Sequence, residues 1–126
     1  MSTPRKIFVE KLNTPNCNNH IYTTENIMKD IVDAQYVKYM IDRKICFIYR
    51  RSDDELWYCN IKNIIGEIEK FEIEHDSLYA YITMSNPDYE YPERLHLCGE
   101  GYVGEDNIVT NYIFYCCFVD DRSFSR

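Results

Sequence analysis

The chain reads as an α+β domain, with one N-terminal helix packed on a mostly antiparallel sheet of about six strands. Three observations predict this class. One stretch, residues 24–40, places apolar side chains at helical i, i+3 and i+4 spacing. From Ile45 onward the apolar residues alternate with polar ones or form short continuous runs, as strands do. Polar turns separate those runs at hairpin distances. With 126 residues the chain makes one domain, 1–126. A domain of that size buries roughly two-thirds of its unfolded surface, enough for a core without metal or disulfide staples.

Residues 6–12 alternate loosely and predict a short strand. Residues 13–20 are rich in Asn, with Pro15 among them, and predict a loop. Thr23 or Thr24 supplies a helix N-cap, and Glu25 suits a first turn. Ile27, Met28, Ile31, Val32 and Tyr36 carry the helical face, while residues 36–41 are apolar all round and are also compatible with a strand. Residues 45–49 predict a central strand, apolar on both faces. Residues 52–55 make a polar turn and 56–61 its return strand. Residues 63–70 predict a strand with a bulge near Gly66. Residues 71–74 alternate, residues 75–77 turn, and residues 78–84 return. A loop over 85–92 leads to a strand at 94–98 and a glycine-containing connection over 99–107. Residues 108–119 form the longest predicted strand, with Tyr112, Phe114, Cys116 and Phe118 on one face and Ile113, Tyr115, Cys117 and Val119 on the other.

Composition narrows function by exclusion. Fourteen basic and 21 acidic side chains give a net charge of -7. That balance argues against nucleic acid as a partner, because phosphate binding needs Lys and Arg. It argues equally against an anionic membrane surface, and no apolar run approaches the roughly 20 residues of a membrane span. Residues 7–9 are interrupted at once by Glu10 and Lys11, which does not read as a secretory leader. The six Cys are therefore expected as thiols in a reducing, intracellular compartment. Ile, Asn, Tyr, Asp and Lys are frequent while Ala occurs only at 34 and 80, a bias of AT-rich codons. Such a bias fits an AT-rich genome, as in certain large DNA viruses, phages, protists or low-GC bacteria, and in a viral setting a host cytoplasm or a virion fits.

Gly99-Glu100-Gly101-Tyr102-Val103-Gly104 matches the G-x-G-x-x-G pattern. That pattern cradles phosphate where a strand meets a helix N-terminus, but β-like sequence follows here and Glu100, Glu105 and Asp106 would repel the anion. A β-turn with glycines at positive φ is the expected structure. Cys17, His20, His96, Cys98, Cys116 and Cys117 carry zinc-ligand chemistry at spacings that match no standard zinc motif, and buried thiols are expected instead. No nucleophile and base stand in a recognisable catalytic order, so no catalytic, cofactor-binding or metal-binding residue is assigned.

The most patterned charge feature is acidic. On strands, Glu67, Glu69, Glu72 and Glu74 point largely to one face, opposite Ile68, Phe71 and Ile73. Such a face either keeps a sheet soluble and unpaired or docks a basic partner. Tyr79, Tyr81, Tyr89, Tyr91 and Tyr102 lie nearby or on loops, and Tyr is frequent at interface hot spots. These nine residues form the candidate interaction surface. The expected function is a non-enzymatic protein-binding or assembly subunit, a viral structural or host-directed interaction protein, whose partner is a basic protein or another copy of itself. The alternative is a small ligand-binding domain or enzyme with a pocket near His96, Cys98 and the Gly99–Gly104 loop.

Overall fold

A computed structural model describes residues 3–49 and 64–119. The predicted turn and return strand across 52–61 lie outside these residues. The described chain is α+β. It runs β1 (Arg5–Lys11), α1 (Thr24–Ile27), a π-helical turn (Met28–Val32), α2 (Gln35–Asp42), β2 (Cys46–Tyr49), β3 (Ile64–Glu74), β4 (Ser77–Met84), β5 (His96–Val103) and β6 (Val109–Val119). The six strands form one mixed sheet in the order β1-β4-β3-β2-β6-β5. All neighbouring pairs are antiparallel except β2 and β6, which run parallel.

Two features depart from the predicted N-terminal helix. A strand, not a helix, comes first, and the helix expected over 24–40 is broken in two. Thr23 caps α1, its hydroxyl accepting from the Asn26 N–H at 3.2 Å. The Asp33 N–H then reaches back to Met28 O at 2.7 Å, a π-type bond, and Ala34 is extended before α2 restarts. The cause is tertiary. Strand β6 meets β2 only from Cys117 onward, so among the described residues the preceding stretch has no strand on that side. The helical segment fills the gap with side chains. Asn26 Nδ2 donates to Val109 O at 3.2 Å, Asp30 Oδ2 accepts from the Tyr112 N–H at 2.9 Å, and Tyr36 Oη accepts from the Phe114 N–H at 2.7 Å. A regular helix would not present residues 30 and 36 in line, since six residues are not a whole number of turns.

The hairpin turn falls where it was predicted. His75 and Asp76 both have positive φ, 50° and 60°, as a two-residue turn of the right twist requires. The bulge near Gly66 is also present, because Phe47 pairs with Gly66 but Ile48 pairs with Ile64. A Cβ at Gly66 would meet the Phe47 ring and stand 2.5 Å from Thr83 O, so glycine is what lets that buried ring lie across β3.

One sheet face carries the core. Ile27, Ile31 and Val37 from the helical segment pack with Val9, Phe47, Ile68, Ala80, Ile82 and Phe114 in a single buried cluster. At its other edge the sheet curls back on itself. The Leu95 N–H donates to Phe8 O at 2.9 Å, and Phe8 bridges Arg94 in parallel, bringing the start of β5 against β1.

Candidate functional site

The acidic run sits on β3 as predicted, and a bulge explains its spacing. Ile68 pairs with Ile82 but Lys70 pairs with Tyr81, so Glu69 is an extra residue. That insertion lets Ile68 and Phe71 both face the core and puts Lys70, Glu72 and Glu74 on the outer face beside Tyr79 and Tyr81 of β4. The surface is a lattice of charge and ring. Lys6 Nζ lies 3.0 Å from Glu72 Oε2, 2.7 Å from Glu74 Oε1 and 4.6 Å from the centre of the Tyr79 ring. Lys70 Nζ stands 4.6 Å from the Tyr81 ring centre, and Tyr81 donates to Glu72 at 3.2 Å. Bonds from Lys6 hold the Glu72 carboxyl below its ordinary pKa, and those to Glu74 and Glu72 raise Lys6. Two of the four predicted acids thus share one lysine within the molecule.

The remaining predicted residues divide. Glu67 pairs with Cys46 and Thr83 and is half-buried, while Glu69 is exposed at the bulge. The Tyr91 ring lies 4.3 Å from the Arg5 guanidinium, next to β1. Tyr89 is exposed in the loop after β4. Tyr102, 69% exposed, is on β5, five strands away from β1 across the sheet. Sequence reasoning missed Lys6, Lys70 and Phe8, whose ring packs edge-on to Tyr79 at 6.0 Å. Ile113 and Tyr115, placed together on one face of the last strand by sequence but left out of the candidate surface, are 52% and 40% exposed on β6.

The glycine motif is a packing device. Gly99 and Gly101 lie inside β5, not in a turn, and neither has positive φ. A Cβ at Gly99 would stand 2.7 Å from Tyr112 Cζ, and one at Gly101 2.7 Å from Val109 Cγ1. The glycines make room for the buried Tyr112 ring, whose desolvation drives its hydroxyl pKa upward. The turn itself is 104–107, where Asn107 takes positive φ, 67°.

A second arrangement lies at the seam between β1 and β5. Phe8 pairs with Tyr79 but Glu10 pairs with Leu78, so a bulge at Val9 puts a carboxylate opposite a fully buried residue. Burial raises the Glu10 pKa against the pull of Arg94, whose Nη2 lies 3.7 Å from Glu10 Oε2. Arg94 also donates to Val9 O and, at 3.3 Å, to Leu95 O. Glu10, Arg94, His96 and Tyr22 line a cavity of about 320 Å³. A cavity of about 400 Å³ lies on the other side of Tyr22, against Gly99, Gly101 and Val103. Cys17 and His20 border these cavities without gathering further ligands. Among the described residues no three His, Cys, Asp or Glu come together as a metal site.

No family model, curated protein or solved structure matches the chain. No helix among the described residues is long and apolar enough to cross a membrane.

Proposed function

We propose that this protein is a non-enzymatic protein-binding or assembly module that recognises a basic protein partner with the sheet face that no described helix covers. The carrying observation is the asymmetry of that sheet. Helices cover one face, while Phe8, Tyr79, Tyr81, Ile113 and Tyr115 cross the other with charged side chains between them. Rigid aromatic side chains set among charges are the composition of interface hot spots. The net charge of -7 favours a basic partner, steering its approach more than tightening the complex.

Capture from the native lysate by three chains tests this: wild type, Tyr79→Ser/Tyr81→Ser and Ile113→Ser/Tyr115→Ser. A basic partner held by wild type, lost with either variant and weakened by salt supports the proposal. Capture of the same proteins by all three chains refutes it. A homo-oligomer in native mass spectrometry, dispersed by either variant, would make the partner a second copy.

The second reading, a small-ligand domain, is favoured by the paired cavities at Tyr22 beside His96 and the Gly99–Gly101 stretch. It predicts a small molecule retained in native mass spectra and lost on Tyr22→Ala.

A further inference from the structure

We propose that Cys98 and Cys116 are a redox modification site, a thiol pair that closes to a reversible disulfide across the β5–β6 hairpin. In the antiparallel pairing of these strands the two residues are Cα partners. Directly opposed residues on antiparallel strands stand about 4.5–5.5 Å apart at Cα, whichever of the two pair types they form. Disulfides span roughly 4.4–6.8 Å at Cα, so the pair stands within disulfide reach. Opposed side chains also share a sheet face, which points the two thiols to the same side.

A bulge creates the pairing. Gly99 pairs with Phe114 and Cys98 with Cys116, which makes Tyr115 an extra residue. Were the register continuous through Tyr115, Cys98 would oppose Tyr115 and Cys116 would oppose Leu97. The same insertion sends Cys117 into the core, fully buried, where burial pushes its thiol pKa up and keeps it out of exchange. Cys98 and Cys116 are half-buried thiols within reach of a small oxidant. Cys46 pairs with Glu67 on the opposite side of β2 from β6, and Cys17 lies in the loop after β1. Among the described residues neither opposes another Cys.

The oxidant is a low-molecular-weight disulfide such as oxidised glutathione. One protein thiolate attacks it, a new S–S bond forms, the old one breaks, and one glutathione thiolate leaves. The second protein thiolate then attacks the protein sulfur of that mixed disulfide and expels the second glutathione. The protein gives up two electrons and two protons, and the oxidant becomes two thiols. The product pins the register of β5 on β6 and is independent of any partner on the sheet face.

The test equilibrates the full chain with reduced and oxidised glutathione over a range of ratios, blocks remaining thiols by alkylation, and maps unreduced peptides by mass spectrometry. The expected result is a Cys98–Cys116 cross-link whose yield follows the ratio and reverses with reductant. Cys98→Ser leaves a glutathione adduct at Cys116, Cys116→Ser leaves one at Cys98, and Cys46→Ser leaves the cross-link unchanged. Lasting glutathione adducts at both positions of the wild type, or disulfides joining either residue to another Cys while circular dichroism is unchanged, would overturn the proposal.

Discussion

Replacing Asp30 with Ala tests whether helix side chains stand in for a missing strand beside β6. The change removes the acceptor of the Tyr112 N–H, at 2.9 Å. Tyr112 is 6% exposed, so water does not easily replace that acceptor. An orphaned buried N–H costs about 1–3 kcal/mol, and the upper half applies because the lost acceptor is a carboxylate. Tyr36→Phe removes the acceptor of the Phe114 N–H, at 2.7 Å, and costs about 1–2 kcal/mol on the same grounds. The Tyr36 hydroxyl also donates to Asp30 O at 3.5 Å, so the sites are coupled. The double variant should then differ from the sum of the singles by about 0.5 kcal/mol or more. Urea unfolding of the four chains gives the energies, and native-state hydrogen exchange locates them. Exchange at Tyr112 should accelerate in Asp30→Ala and at Phe114 in Tyr36→Phe, with Phe71 and Ile82 in the sheet centre little affected. If Asp30→Ala lies within about 0.5 kcal/mol of wild type and Tyr112 exchange is unchanged, the helix break has another cause.

Three further outcomes follow from the geometry. Gly66→Ala pushes a Cβ into the Phe47 ring and to 2.5 Å from Thr83 O. Overpacking of this kind costs about 2–3 kcal/mol, and thermal unfolding should drop by about 10 °C; an unchanged midpoint would contradict the packing described. Glu10 has its pKa raised by burial, so its contribution to stability is full below the ordinary carboxylate range and is lost as pH rises through the higher folded value. Urea unfolding across that range should show this loss in wild type and its absence in Glu10→Gln, and parallel profiles would show that burial does not govern the group. Lys6→Ala should return the Glu72 carboxyl towards its ordinary pKa with little change in overall stability, because the pair is on the surface. Carboxyl titration by NMR reads this directly, and a Glu72 value that stays depressed would assign the effect to other groups.

The 75–76 turn and the strands flanking it were legible in the sequence because their signals are local. Alternation over 71–74 and 78–84 with His75-Asp76 between them carries its own turn chemistry, and Thr23 announces a helix start. The helix break at Asp33 and Ala34 was not legible. Its cause lies in β6, some 80 residues away, and no local propensity encodes that demand. The acidic residues were placed on their strand correctly, but the lysine that bridges two of them was not found. Lys6 is on β1, separated from β3 by β4, and sequence spacing has no term for a cross-sheet neighbour.

Bulges account for most of the remaining difference, and they decide which chemistry meets which. A strand face read by strict alternation assigns Cys116 to the side of Tyr112 and Phe114. The extra residue at Tyr115 reverses the parity, so Tyr112, Phe114, Cys117 and Val119 face the core instead. The insertion at Val9 buries Glu10 beside Arg94, and the one at Glu69 gathers Lys70, Glu72 and Glu74 around Tyr81. Each inserted residue forfeits regular pairing in its ladder and adds local twist. What the molecule gains in each case is a side-chain neighbourhood that a regular strand cannot make: a desolvated carboxylate, a charged aromatic lattice, and two opposed thiols. The candidate surface, the seam cavity and the redox pair therefore share one origin. Deleting Tyr115 removes the extra residue without changing the partners on either side of it. Cys98 should then still oppose Cys116 in a regular ladder, and the Cys98–Cys116 cross-link should persist with the β3–β4 lattice intact. Loss of the cross-link would show that the bulge geometry itself brings the thiols together.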